Sequence, residues 1–153
     1  MNAIPSPSTQ TAHFISLLKK LRTAMLVTQT GGEFGLHARP MAIADVEDDG
    51  RIWFISGKDT AKIHEIEMDS HVHIIAQDGD SAFLSLTGSA TLIGDREKIA
   101  ALWKEPFRVW FPGGKDDPDI ELIAVRPERG EFWDSTGTTP DVDDGDMHGK
   151  VQL

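Results

Sequence analysis

The sequence predicts a mainly β protein, an antiparallel β-barrel of six or seven strands with helices at its rim. Three observations predict it. Six or seven short runs rich in apolar and β-branched residues are separated by Gly- and Asp-containing turns. One of those turns, Glu47-Asp48-Asp49-Gly50, lies between two strand-like runs. Asp-Gly at such a place signals a hairpin, because Gly accepts the positive φ of a tight turn. Only a few stretches show the 3.6-residue apolar spacing of a helix, so helices serve as peripheral elements rather than as full layers.

In chain order, residues 1–11 are polar, with Pro5 and Pro7, and read as a flexible N-terminal arm. Helical patterning begins at His13: Phe14, Leu17, Leu18 and Leu21 recur at i, i+3, i+4 and i+7, opposite Lys19, Lys20 and Arg22. Ala24 to Thr30 is strand-like and is stopped by Gly31-Gly32. The hairpin pairs Phe34 to Val46, whose most regular part is Pro40 to Val46, with Arg51 to Ser56. A loop, Gly57 to Asp59, leads to a helix over Thr60 to Met68 with Ile63 and Ile66 on one face.

His71 to Gln77 is the next strand, followed by a turn at Asp78-Gly79-Asp80 and a long strand, Ser81 to Ile93. Gly88 within that strand marks a bulge or a close backbone approach. Asp95 to Lys104 is a third helix with Ile99, Leu102 and Trp103 on one face, ended by Pro106. An aromatic segment, Phe107 to Phe111, and a Pro/Gly/Asp loop through Pro118 precede two final strands, Ile120 to Arg126 and Glu131 to Asp134. Beyond Ser135 the chain is rich in Thr, Gly and Asp with few apolar residues, and disorder is expected because burial cannot offset the entropy of ordering. The expected organisation is an arm over 1–11, one domain over 12–135 and a disordered acidic tail over 136–153.

With 153 residues the chain is one domain by length, and 39% apolar with 26% charged residues fits a globular protein. Absence of Cys excludes disulfides, thiolate catalysis and Cys-bound metals. A net charge of −10 argues against nonspecific nucleic-acid binding, which uses Lys and Arg to displace counterions from phosphates. No apolar run approaches the roughly 20 residues of a membrane helix, and the first residues lack the basic and apolar regions of a signal peptide. A cytoplasmic location is the expectation, with neither nucleic acid nor membrane as a partner.

One place invites an anion. Thr60 is a plausible N-cap and Lys62 falls in the first helical turn. The start of a helix offers unbonded N–H groups and the positive end of its dipole, which suits phosphate. A cation in that turn is unfavourable unless an anion accompanies it, and Arg39 at the head of the preceding strand offers a second positive group.

These residues carry a resemblance. Arg39-Pro40-Met41, the hairpin, and Thr60-Ala61-Lys62 follow one another as do the elements of the flavin-binding split barrels related to pyridoxamine 5′-phosphate oxidase, and the chain resembles the general stress protein group among them. The likeness runs from about Phe14 to Ser135 and includes Glu131-Phe132-Trp133. It implies a six- to seven-stranded antiparallel split β-barrel of Greek-key type that binds FMN, with FAD or deazaflavin ranking behind. It also implies a homodimer with flavin at the subunit interface. By resemblance, cofactor contacts fall on Arg39, Pro40, Met41, Ala42, Ile55, Ser56, Ala61 and Lys62, and Trp133 lies against the partner's flavin. Ala61 stands where the family usually has Arg or Lys, so one phosphate contact is missing. The Arg-x-His segment that grips substrate phosphate in the oxidase is replaced by Asp134-Ser135-Thr136, and a phosphate substrate would meet Asp134.

The function expected is therefore that of an FMN-binding general stress protein, open to being a flavin-dependent oxidoreductase other than the vitamin B6 phosphate oxidase. Two alternatives stand beside it: a flavin-binding or buffering stress module without turnover, and a barrel dimer that has lost its cofactor. No residue is assigned as a catalytic base. His37 and His64 border the expected site as rim residues. His71 and His73 share one strand face but lack a third ligand nearby, so no metal is expected. Asp141, Asp143, Asp144 and Asp146 fail the calcium-loop spacing, with Gly145 one position early and Gln152 where Glu is required. The run Arg108 to Lys115 resembles a Trp-Phe-Pro-Gly-Gly segment of the stress protein group, a rigid turn suited to the edge of a site.

Overall fold

A computed structural model describes residues 9–32, 35–135 and 148–153. The chain forms helix α1 (Thr9–Lys20), strands β1 (Thr23–Gln29), β2 (Leu36–Val46) and β3 (Ile52–Gly57), and helix α2 (Ala61–Met68). Strands β4 (His71–Asp78) and β5 (Ala82–Ile93), helix α3 (Arg96–Leu102), two 3₁₀ turns (Glu105–Val109 and Gly114–Asp116), and strands β6 (Ile120–Asp134) and β7 (His148–Gln152) complete it. The sheet order is β3-β2-β1-β4-β5-β6-β7, and β3 also pairs with β6, so β1 to β6 close into a six-stranded antiparallel barrel with β7 added outside the ring. The fold is a split barrel, mainly β, with three helices.

Alternation fills the barrel. Leu26, Phe54, Ile74, Leu84, Leu86, Val125 and Phe132 point inward and are buried. Helix α1 adds Phe14, Leu17 and Leu18, and α2 adds Ile63 and Ile66 to the same core. A second apolar cluster lies outside β3 and β6, where Trp53, Ile55, Leu122 and Ala124 meet Ile99, Leu102, Phe107 and Phe111. Strand β3 is buried on both faces for that reason. Among the described residues the outer face of β1, β4 and β5 has no such cover, and Met25, Ile75 and Phe83 are 36–48% exposed there. Among the described residues no helix is long and apolar enough to cross a membrane.

The hairpin closes as its Asp-Gly requires: Gly50 has φ +93° and its N–H donates to the Glu47 carbonyl. Gly88 shows both features expected of it. The pairing of β5 with β6 shifts between Thr87 and Gly88, and a Cβ on Gly88 would lie 2.3 Å from the Arg126 carbonyl oxygen.

Four expectations are corrected. The two last strands are one, since β6 runs through Pro127 with Glu128 as the extra residue opposite Thr87 and Gly88. Helix α1 starts at Thr9, inside the expected arm, with Thr11 buried. The expected disordered tail contributes β7, whose Val151 is 6% exposed and joins the core, and which pairs with β6 from Arg129↔Gln152 to Trp133↔His148. Its four-residue alternation in Gly149 and Val151 is too short to be read against the acidic run before it. Asp134 does not face a substrate: alternation turns it inward, 1% exposed, with His13 Nε2 at 2.7 Å. The aspartates of 141–146 lie outside the described residues.

Candidate functional site

A cavity of about 580 Å³ opens at one end of the barrel. It is formed where the C-terminal end of β3 meets the N-terminal end of β6, in the register Ile55↔Leu122 to Gly57↔Ile120. Because β3 leads into α2, and the 3₁₀ turns lead into β6, both connections converge on this end. The backbone N–H of Lys58 donates to the Asp119 carbonyl at 2.8 Å and ties them together. Pro40, Met41, Ala42, Ile55, Ser56 and Lys62 line the cavity, with Thr23, Gly57, Thr60, Trp110, Phe111 and Asp119.

Six of the residues singled out in the sequence are thus brought together. Arg39, Ala61 and Trp133 are not among the lining residues. Arg39 falls on the inner side of β2, where its guanidinium donates to Thr28 Oγ1 at 2.8 Å and to Glu65 Oε2 at 3.0 Å. Thr28 also donates to Glu65, and His37 Nδ1 lies 2.8 Å from Arg39 and 3.3 Å from Glu65. Burial alone would push the Glu65 carboxyl up, but the bonds from Thr28, His37 and Arg39, with the Arg39 charge, outweigh it and hold it below its ordinary value. Ala61 is exposed.

Lys62 has no hydrogen bond or carboxylate partner among the described residues. It is partly buried, and burial first, then the charge of nearby Arg39, lower the pKa of its ammonium. Thr60 occupies the N-cap position of α2, but its hydroxyl donates back to the Gly57 carbonyl at 3.0 Å and caps no N–H. The backbone N–H groups of Ala61 and Lys62 therefore have no partner among the described residues, while those of Ile63 and His64 donate to the Thr60 carbonyl. This is an arrangement that takes an anion.

Trp133 stands 41% exposed on the outer sheet face, its ring stacked on His148 with centroids 5.0 Å apart. It belongs to a row Gln77–Phe83–Trp133–His148 beside a row Pro40–Met25–Ile75–Ser85. The cavity borders this face through Thr23, Pro40 and Ala42. His64 and His71 are exposed; His71 contacts Asp69 at 2.9 Å, and His73 Nε2 lies 2.7 Å from Ser85 Oγ. No group of three or more His, Cys, Asp or Glu able to hold a metal occurs among the described residues.

No signal in the sequence marked Thr23, Gly57 and Asp119 as lining residues, and Phe111 was signalled only within the 108–115 motif. The 108–115 motif was the one signal for Trp110, and it carried no chemistry by itself.

Comparisons with known proteins agree with this architecture. Residues 9–142 match the family described as "Pyridoxamine 5'-phosphate oxidase like". General stress protein 26 of Bacillus subtilis (strain 168) is 28% identical over 108 residues, which span 68% of this chain and 75% of that protein. The crystal structure of the general stress FMN/FAD binding protein of Xanthomonas citri is 32% identical with a TM-score of 0.70, covering 82% of this chain and 89% of that one. That of General Stress Protein 26 of Bacillus anthracis str. Sterne, at 19% identity, shares the fold with a TM-score of 0.73 over 93% of this chain and 98% of that one. With the closed barrel and the family match over most of its length, the chain belongs to the pyridoxamine 5'-phosphate oxidase-like family.

Proposed function

We propose that the protein binds FMN in the cavity at the β3–β6 end of the barrel. Lys62 carries this reading: a partly buried ammonium, depressed by burial and by Arg39 and without a carboxylate, beside an uncapped helix start. The terminal phosphate of FMN would supply the missing anion, held by the Lys62 ammonium and the N–H groups of Ala61 and Lys62, with the Ser56 and Thr60 hydroxyls in the same lining. The apolar side of the cavity, Pro40, Met41, Ala42 and Ile55, suits a planar ring, and about 580 Å³ is a normal size for a cofactor site. One unpaired cation matches one terminal phosphate, which favours FMN over FAD. The Xanthomonas citri relative, described as binding FMN or FAD, supports a flavin.

When bound, FMN supplies hydride and electron transfer. This chain's residues bind and orient it. Among the described residues the ionisable side chains lining the cavity are Lys62 and Asp119, and we assign neither as a general base, so binding is the primary function proposed and turnover rests on the cofactor. The substrate of the vitamin B6 phosphate oxidase is not part of this reading, since Asp134-Ser135-Thr136 follows Trp133 where the resemblance would require Arg-x-His.

The reading includes a homodimer. Met25, Ile75, Phe83 and Trp133 form an exposed apolar sheet face continuous with the cavity mouth, and a second copy laid on that face brings its Trp133 towards the flavin. A difference spectrum on adding FMN to the purified protein tests the proposal. Saturable perturbation of the flavin bands is expected, and bands that stay those of free FMN at every protein concentration contradict it. Anaerobic bleaching by NADPH distinguishes a redox enzyme from a flavin store.

A further inference from the structure

We infer that Trp110 is a specificity-determining residue of this cavity, its indole forming the wall on which the tricyclic flavin ring packs. The inference rests on the flavin reading above. Trp110 is 62% exposed, and its indole N–H makes no hydrogen bond among the described residues. An exposed tryptophan usually signals a loose loop, but this one is held. The backbone N–H of Trp110 donates to the Phe107 carbonyl at 3.0 Å, and Phe107 and Phe111 on either side are buried in the outer cluster.

The rest of the segment is braced as firmly. Arg108 donates to Glu105 at 2.9 and 3.2 Å, and its guanidinium packs against Gly114, where φ is +70° and a Cβ would lie 3.0 Å from it. Arg96, from α3, donates to the carbonyls of Lys115 and Asp117. A rigid turn thus presents one large aromatic face at a cavity rim, uncovered by the described residues.

The lining divides by chemistry. Thr23, Ser56, Thr60, Lys62 and Asp119 are its polar side chains. Trp110 and Phe111, with Pro40, Met41, Ala42 and Ile55, make its apolar part. A ligand with a phosphate on Lys62 presents its other end to the apolar part, and a flat, electron-poor ring is what an indole face stacks on. The pinned backbone leaves only the side-chain torsions of Trp110 to settle when the ring binds, which limits the entropy lost.

The test compares FMN, riboflavin and lumiflavin, the last being the ring system alone, on the wild type, Trp110→Ala and Trp110→Phe. Expected is a loss of roughly 5- to 150-fold for all three ligands in Trp110→Ala, the range of an aromatic stacking contact, with most of it restored in Trp110→Phe. Equal affinities of wild type and Trp110→Ala, or a loss confined to FMN, overturn the inference while leaving the flavin reading in place. Failure of the wild type to bind any flavin overturns the flavin reading itself. A change in oligomeric state in Trp110→Ala, read by sedimentation, assigns the indole to a contact between copies and also overturns the inference. Because the side chain is exposed, an unchanged melting temperature is expected and shows that the fold is intact.

Discussion

Arg39 and Glu65 form an ion pair, with Nη2 and Oε2 3.0 Å apart and side chains 15% and 13% exposed. It joins the inner side of β2 to α2, and Thr28 and His37 complete its hydrogen bonds. Lys62 sits three residues earlier on the same helix, close enough to Arg39 to feel its charge, yet without a share in the carboxylate. Among the described residues Glu65 is engaged by Arg39 and Lys62 has no ion-pair partner, which suits the phosphate proposed for it.

Glu65→Gln should destabilise the protein by about 1–2 kcal/mol at pH 7, or roughly 2–8 °C in Tm. In the folded protein the Glu65 carboxyl holds its charge to lower pH than the ordinary value near 4.5. The stabilisation is therefore complete above that ordinary value and is lost as pH falls through the depressed folded-state value. Melting curves of both proteins should converge in acid. A Tm gap that persists unchanged from pH 7 to pH 3 would falsify the pairing.

Deleting residues 148–153 should lower Tm substantially. Val151 is buried against the core, and β7 covers Phe132, whose ring would clash with any side chain at Gly149. Losing one buried aliphatic and five strand pairs costs about 2–4 kcal/mol, or roughly 4–16 °C. A Tm within a degree of the wild type would show that β7 contributes nothing to stability.

The dimer is tested by complementation. Lys62→Ala and Trp133→Ala homodimers each have two impaired sites if every site draws Lys62 from one chain and Trp133 from the other. Mixing with subunit exchange should restore flavin binding, up to one intact site per heterodimer. Verified exchange with no recovery would place the whole site in a single chain. Ile75→Glu, at the centre of the exposed face, should shift sedimentation towards the monomer.

Much of this fold was legible in the residues. The stripe of α1, the Asp-Gly turn and Gly88 were each read from local physics; the helix, the hairpin turn and the bulge are all present, although α1 starts four residues before the His13 expected. The long β6 was not legible as one strand, because Pro127 and Gly130 read as a break; a bulge lets the strand carry both. Strand β7 was hidden by the acidic run beside it. At the site, the resemblance to the flavin-binding split barrels grouped Lys62 with the β2–β3 residues, but side-chain direction decided the rest. The inward turn of Arg39 depends on barrel parity, and its partner Glu65 lies 26 positions away. Trp110 reaches the cavity through a loop whose path the sequence does not reveal.

Paired titrations of FMN and riboflavin with the wild type and Lys62→Ala test the central claim most directly. A charge-assisted contact to phosphate is worth about 1.5–3 kcal/mol, so Lys62→Ala should weaken FMN by about 10- to 150-fold and leave riboflavin unchanged. An equal loss for both ligands, or no loss for FMN, would contradict the assignment of Lys62 to the phosphate.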